Sequence, residues 1–352
     1  MYLKDFLAAL GVVLNGLPQG LLALAFGFAS IPTAFAFLVG ALGNGILGLV
    51  TPVSFQAETI TLAGTMGKDM EERLSMLVFG ALIMVFIGAF GLLERIVALI
   101  GEEITFGMMA GVGLMLAKVS ISMIKSNKLV GLSSLISSFF TYIFTQDLVY
   151  TIVVSVVLSS LVVSLKKDGK TSYVRETRDF RLRKPIVNLS VIRGALAMTC
   201  LNIGANIAFG NITGSIANTN VNVDQLSIVS GLADLSSALF GGGPVEVVIS
   251  ATGSAPHPVL SGIIMMLIMA AILFTGLLPR IGRYVPSESI AGFLFILGAV
   301  VTVPANALSA LSSTALAGGP IVGAVTMVVT SIFDPFVGML AGLVFKYFLN
   351  FI

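Results

Sequence analysis

The sequence predicts an all-α membrane protein of fourteen transmembrane segments, arranged as a 7+7 inverted repeat with spans 3 and 10 broken into half-helices. Three observations carry this. First, the 352 residues are 57% hydrophobic and 10% charged, with a mean hydropathy of +1.05, whereas a soluble domain is roughly a quarter charged. So few charges cannot cover a surface facing water on all sides, and lipid must be the main solvent. Second, apolar runs of the roughly 20 residues needed to cross a bilayer recur along the whole chain. Third, the two halves resemble each other.

Ten runs are clear, at 6–27, 32–50, 72–92, 104–124, 147–165, 187–210, 222–241, 257–278, 288–304 and 335–351. Four are shorter or interrupted, at 52–65, 129–146, 244–255 and 306–331. The first run follows a short amino terminus with no cleavage pattern, so it is expected to remain as a span. The long polar segment Lys166 to Lys184 is the natural junction of the halves. This assigns 1–165 to the first repeat, 166–186 to a basic linker loop and 187–352 to the second repeat.

The repeat is read from residues in the same order at nearly the same shift. Gly91-Leu92-Leu93-Glu94-Arg95-Ile96 matches Gly276-Leu277-Leu278-Pro279-Arg280-Ile281, a shift of 185 residues. At that shift Glu103 falls on Glu288, Gly107 on Gly292 and Gly113 on Gly298. At similar shifts Pro52-Val53 falls on Pro244-Val245 and Asp147 on Asp334. Seven spans per half turn the second half over in the bilayer, the architecture common among secondary transporters.

The broken helices follow from glycine and proline. Gly45 to Pro52 precedes a short helix expected over Val53 to Gly64, and Gly241-Gly242-Gly243-Pro244 precedes one expected over Val245 to Gly253. Proline suits a first helical turn. Backbone opened at membrane depth must be buried in protein or line a cavity. Half-helices whose N-termini meet near the middle would offer free N–H groups and positive dipole ends to a solute.

Charged residues in spans are costly and usually functional. Glu58 lies six residues after Pro52 and Glu246 two after Pro244, which places one carboxyl on each half-helix. A carboxyl held away from water can carry a proton, so both are proton-coupling candidates as well as solute-binding ones. Asn202, Asn206, Asn15, Gln19 and Gln56 are amides in apolar surroundings, able to bind a heterocycle by paired hydrogen bonds or to join helices. Ser250 and Thr252 are helix-internal hydroxyls, Ser250 among the substrate-binding candidates, and Asp234 in the ninth span fits a functional and a structural reading equally. Glu102, Glu103, Glu288, Asp147 and Asp334 stand at helix starts, where an acid complements the dipole.

Other functions lack their residues. The net charge of +2 gives no argument for nucleic acid. A single cysteine, Cys200, forms no internal disulfide, and a single histidine, His257, rules out a multi-histidine metal site. There is no His–Glu pair for metalloproteolysis, no nucleophile elbow and no phosphate loop with a lysine. The expectation is therefore no enzyme, no cofactor and no metal. Acids and amides without Lys or Arg near the breaks favour a neutral, hydrogen-bonding or weakly cationic solute over an anion.

The stretch Phe240 to Gly253, reading Phe-Gly-Gly-Gly-Pro-Val-Glu-Val-Val-Ile-Ser-Ala-Thr-Gly, resembles the tenth-span signature of the nucleobase–ascorbate transporter family, which includes uracil and xanthine permeases. Leu278-Pro279-Arg280-Ile281, Val285-Pro286 and Gly292 resemble that family's next region. The seven-plus-seven layout is the fold it shares with sulfate permeases and bicarbonate exchangers, and Leu17-Pro18-Gln19-Gly20 through Thr51-Pro52 is similar to sulfate permeases. Two departures stand out. The family's binding glutamate, six residues after the tenth-span proline, is Ser250 here. Its eighth-span acid has no counterpart in Leu201-Asn202-Ile203-Gly204.

The resemblance implies a core of spans 1–4 and 8–11 (1–92 and 187–278) and a gate of spans 5–7 and 12–14 (93–165 and 279–352), with Asn202 next to the family's eighth-span site. It also implies cytoplasmic termini, against which charge argues. Fourteen spans put Lys4, Arg95 and Lys346 on the side of the termini, and the other sixteen of the 19 Lys and Arg opposite. Cytoplasmic loops hold that excess, which makes the linker loop cytoplasmic and the termini external. The expectation is a secondary active transporter in the cell membrane, working by alternating access and dimeric through its gate domains. It would move a nucleobase-like heterocycle coupled to protons, or alternatively to sodium. The rival readings are a sulfate-permease-like anion transporter and a channel on the same fold.

Overall fold

The computed structural model describes residues 2–166, 180–282, 284–312 and 318–349. The basic loop expected over 166–186 therefore lies, from 167 to 179, outside the described residues, and so does Arg283. Among the described residues the structure is α-helical apart from two dipeptide strands, and seven helices are long and apolar enough to cross a membrane, with four shorter apolar ones. The chain is a multi-pass membrane protein.

The chain forms two compact units, Met1–Glu94 with Tyr173–Tyr284, and Arg95–Ser172 with Val285–Ile352. The first contains α1 (Tyr2–Ala25), α2 (Ser30–Leu47), β1 (Val53–Ser54), α3 (Ala57–Met66) and α4 (Met70–Ala89). The chain then runs through α5 (Leu93–Ile100), α6 (Glu102–Ser126), α7 (Lys128–Thr145) and α8 (Leu148–Lys166). It returns to the first unit with α9 (Leu189–Ile216), α10 (Val223–Ala238), β2 (Glu246–Val247), a 3₁₀ turn (Ala251–Ser254), α11 (Pro258–Phe274) and α12 (Leu277–Gly282). A 3₁₀ turn (Ser287–Ile290), α13 (Ala291–Phe295), a π-helical segment (Ile296–Thr302), α14 (Val303–Ser312), α15 (Gly319–Ile332) and α16 (Pro335–Leu349) follow.

Within the first unit the packing respects an exchange of the halves. Helix α2 lies against α10 and α11, and α10 against α2 and α4. Helix α1 packs on α11 and α3, as α9 packs on α4 and the 3₁₀ turn. The two breaks meet as an antiparallel ladder, Val53 opposite Val247 and Ser54 opposite Glu246. Because Pro52 and Pro244 are 192 residues apart, Ser54 and Glu246 are also equivalent. Equivalent strands thus run antiparallel, and this pair marks a local two-fold relation.

Three expectations need correction. Val53-Ser54 and Glu246-Val247 are extended, so the helix after the first break starts only at Ala57 and Glu246 sits on a strand. The second half-helix expected over Val245 to Gly253 is a single 3₁₀ turn, because β-branched Val245, Val247, Val248 and Ile249 favour extension and Pro256 and Pro258 follow too closely for an α-helix to propagate. The span expected at 306–331 begins at Gly319, since residues to Ser312 continue the preceding helix. That helix carries its π segment just before Pro304, whose ring has no N–H to donate and displaces the carbonyl four residues back.

The acids at helix starts divide. Asp147 and Asp334 accept from the backbone N–H of Tyr150 (3.2 Å) and Val337 (2.9 Å), the capping role their positions suggest. In the second unit Glu103 instead pairs with Lys346 at 3.0 Å, and Glu288 accepts from Ser126 Oγ at 3.2 Å. Residues 180–188 run along the first unit. Arg183 N donates to Leu239 O (2.7 Å), Ile186 N to Ser75 Oγ (2.9 Å) and Asn188 Nδ2 to Glu72 Oε1 (3.0 Å).

Candidate functional site

The ladder of β1 and β2 can cross inside the first unit because its neighbours leave space. A methyl group on Gly16 of α1 would lie 2.9 Å from Ser54 Oγ, and one on Gly20 2.7 Å from Phe55 Cε2. The approach to β2 is held by three buried polar groups. Asp234 Oδ1 on α10 accepts from Val245 N (2.8 Å), Thr33 Oγ1 on α2 accepts from Gly243 N (2.8 Å), and Ser237 Oγ donates to Gly243 O (2.7 Å). These groups give the broken backbone the partners it lacks where the helix is interrupted. Asp234 is thus committed to the backbone, which no pattern in the sequence foretold.

Glu246 is fully buried, at 0% exposure. Its Oε2 accepts from Thr59 Oγ1 of α3 at 3.1 Å. The amide of Asn202 on α9 is assigned with its nitrogen toward acceptors, since the reverse sets oxygen against oxygen. It then donates to Met198 O (3.0 Å) and to Glu246 Oε2 (2.5 Å). Glu246 Oε1 has no hydrogen-bond partner among the described residues. Glu58, in the first turn of α3, is 7% exposed, and its Oε2 likewise has no partner. A buried polar atom without a bond costs on the order of 1–3 kcal/mol, which makes these two carboxyl oxygens candidates for binding a proton, a cation or a hydrogen-bond donor.

The remaining predicted residues are spread around the same unit. Ser250 is buried, caps the 3₁₀ turn by accepting from Thr252 N (3.2 Å), and lies 2.6 Å from Thr252 Oγ1. Its own N–H donates to Thr213 Oγ1 (3.1 Å), which donates in turn to Val248 O (3.2 Å). Asn206 points to α10, donating to Ser227 Oγ (2.9 Å) and Ser230 Oγ (3.3 Å). Gln19 turns back along α1 to Asn15 O (3.3 Å). Gln56 is the half-buried residue preceding α3, with no side-chain cap bond. The structure thus brings Glu246 and Asn202 into one network, with Glu58 in the adjoining turn of α3, gives Asn206 a bond that joins α9 to α10, and leaves Gln19 bonded within α1. Thr59 was missed. A hydroxyl next to Glu58 in a first helical turn was the available sign.

No family model matches the sequence, and no curated protein matches it. Solved structures do. The transmembrane domain of the cyanobacterium bicarbonate transporter BicA matches with a TM-score of 0.72 at 16% identity, over 97% of this chain and 97% of that one. The murine anion transporter Slc26a9, in an inward-facing state, matches with a TM-score of 0.72 at 16% identity, over 99% of this chain and 68% of that one. A further SLC26A9 structure matches with a TM-score of 0.69 at 15% identity, over 99% of this chain and 65% of that one. The nucleobase–ascorbate family is not among these likenesses; the wider fold that it shares with sulfate permeases and bicarbonate exchangers is. The chain has the all-α transmembrane fold of these anion transporters, at identities that establish the fold alone.

Proposed function

We propose that this protein is a secondary transporter of a small anion, taken up together with a neutralising cation at the crossing of β1 and β2. The observation that carries the reading is the structural likeness to BicA, described as a bicarbonate transporter, over 97% of both chains. The expectation of a nucleobase-like solute thereby yields to its rival. The N-terminus of α3 presents a positive dipole end, which suits an anion.

The carboxyls then require the cation. Like charges held in contact inside a protein repel by a few kcal/mol at an effective dielectric of about 20. An anion beside ionised Glu246 and Glu58 would bind weakly, and protonation or a bound sodium ion removes the penalty. Glu58 and Glu246 are in this reading the proton-coupling pair, and transport proceeds by alternating access.

One observation favours a second reading. The side-chain bonds to Glu246 come from Thr59 and Asn202, both neutral. Such a polar, uncharged frame also suits a nucleobase-like heterocycle bound through paired hydrogen bonds. Purified protein in liposomes, offered labelled bicarbonate, sulfate, formate, uracil and xanthine with an imposed proton or sodium gradient, separates the two. Saturable uptake of one anion driven by the gradient is expected. Uptake of a heterocycle with no anion transported overturns the proposal, and large unsaturable current identifies a channel.

A further inference from the structure

We propose that Asp5 and His257 form a pH-responsive clamp fastening the exit of the broken tenth span to the start of α1. The chain leaves β2, passes the 3₁₀ turn Ala251–Ser254 and enters α11 through Ala255-Pro256-His257. At this exit Asp5, in the first turn of α1, is fully buried at 0% exposure. Both of its carboxyl oxygens are engaged by one residue. Oδ1 accepts from His257 N at 2.9 Å, and Oδ2 lies 2.9 Å from His257 Nδ1. The carbonyl of Asp5 accepts from Ser261 Oγ in the first turn of α11 at 2.7 Å. The ring of Tyr2 stacks on the imidazole at 5.4 Å and 17°, while the imidazole stays 37% exposed.

A carboxylate removed from water is costly unless a countercharge accompanies it. Protonated His257 supplies that charge. Neutral His257 can still donate from Nδ1 in one tautomer but supplies none. Histidine is the side chain that gains or loses its charge most readily, so the clamp has a charge-paired form when the imidazole is protonated and a weaker, hydrogen-bonded form when it is not. Of the other titratable groups near the start of α1, Tyr2 stacks on the imidazole and Lys4 precedes Asp5 in the chain. The 3₁₀ turn and α11 carry none. His257 is the sole histidine of the chain, so a histidine response can be traced to one side chain. The backbone at the clamp continues directly into Ser250 and β2, so the strength of the clamp sets how firmly the far end of the crossing is held.

Stability from a charged histidine pair is present below the titration and lost as pH rises through it. The test is thermal unfolding of the full-length purified protein in detergent at about pH 5.5 and about pH 8, on either side of the ordinary histidine titration. Wild type, Asp5→Asn, His257→Gln and the double variant are compared as a cycle, which cancels the titration of other carboxyls. The expected result is a coupling between positions 5 and 257 that is clear at the lower pH and falls to less than half at the higher. Equal coupling at both, or none at either, overturns the proposal. If His257→Gln fails to fold, the Tm difference between wild type and the nearly isosteric Asp5→Asn must still shrink from the lower pH to the higher. No solute is needed, so the outcome is independent of the transport reading.

Discussion

Replacing Gly298 by alanine should loosen the second unit by about 2 kcal/mol. Gly113 and Gly298 are equivalent in the two halves, 185 residues apart. They also face one another where α6 meets the π segment. A methyl group on Gly298 would lie 2.4 Å from the carbonyl oxygen of Gly113 and 2.8 Å from Leu116 Cβ, against 3.4 Å for ordinary contact. The obstructing atom is backbone, so no rotamer relieves it and a turn of α6 must retreat by about 1 Å. Overpacking of this kind costs about 1–3 kcal/mol, and an immovable neighbour puts the cost near the upper end. Alanine's advantage over glycine inside a helix returns about 0.5–1 kcal/mol, which leaves the net loss stated. Thermal unfolding in detergent reads it, with Gly11→Ala as control, because a methyl group there meets nothing within 4 Å. Gly11→Ala should match or exceed wild type. The reciprocal Gly113→Ala, 3.0 Å from the Gly298 oxygen, should cost less than Gly298→Ala. If Gly298→Ala and Gly11→Ala unfold alike, the close approach of the equivalent glycines is wrong.

Glu246→Gln should leave the protein folded and abolish gradient-driven uptake; normal uptake with unchanged pH dependence in both Glu246→Gln and Glu58→Gln would remove the carboxyls from coupling. Asp234→Ala should lower stability by about 1–3 kcal/mol, the cost of leaving the Val245 N–H without a partner, and Asp234→Asn, whose Oδ1 can still accept, should recover most of it in the same unfolding assay. Thr59→Val takes the hydroxyl from Glu246 and should shift the pH dependence of uptake while leaving expression unchanged; an unaltered pH profile would show that Thr59 does not tune this carboxyl. A cysteine at Ser172 in a Cys200→Ala background should resist an impermeant maleimide in intact cells if the basic loop is cytoplasmic, and labelling without permeabilisation would refute that orientation.

The helices were legible because each needs a long apolar run, and those runs survive any error of a few residues at their ends. The equivalence of the halves was legible from Gly91 to Ile96 and Gly276 to Ile281, and from Gly113 with Gly298. What escaped depends on pairing at a distance. Whether Val53-Ser54 and Glu246-Val247 are helical or extended is decided by the antiparallel partner each finds 194 or 192 positions away, and local proline and glycine signal only that a break occurs. The π segment before Pro304 and the short α5 and α12 were hidden for a similar reason, since they interrupt or join apolar runs without changing composition. At the site, Glu58, Glu246 and Asn202 stood out as polar residues in apolar surroundings. Thr59 did not, and the role of Asp234 stayed open, because a hydroxyl beside an acid and an acid in a mid-span turn look alike whether they hold backbone, side chain or solute. The solute was the least legible. The tenth-span motif points to one family, whereas the fold as a whole resembles anion transporters, and no short motif separates the two once the family's glutamate is replaced by Ser250.

The most direct test of the account is uptake by purified protein in liposomes under an imposed inward proton or sodium gradient, measured for wild type and Glu246→Gln. Saturable, gradient-dependent accumulation of a small anion in wild type, lost in the folded variant, is the predicted result. Uptake of a nucleobase with no anion, or anion flux that ignores both the gradient and the variant, would contradict it.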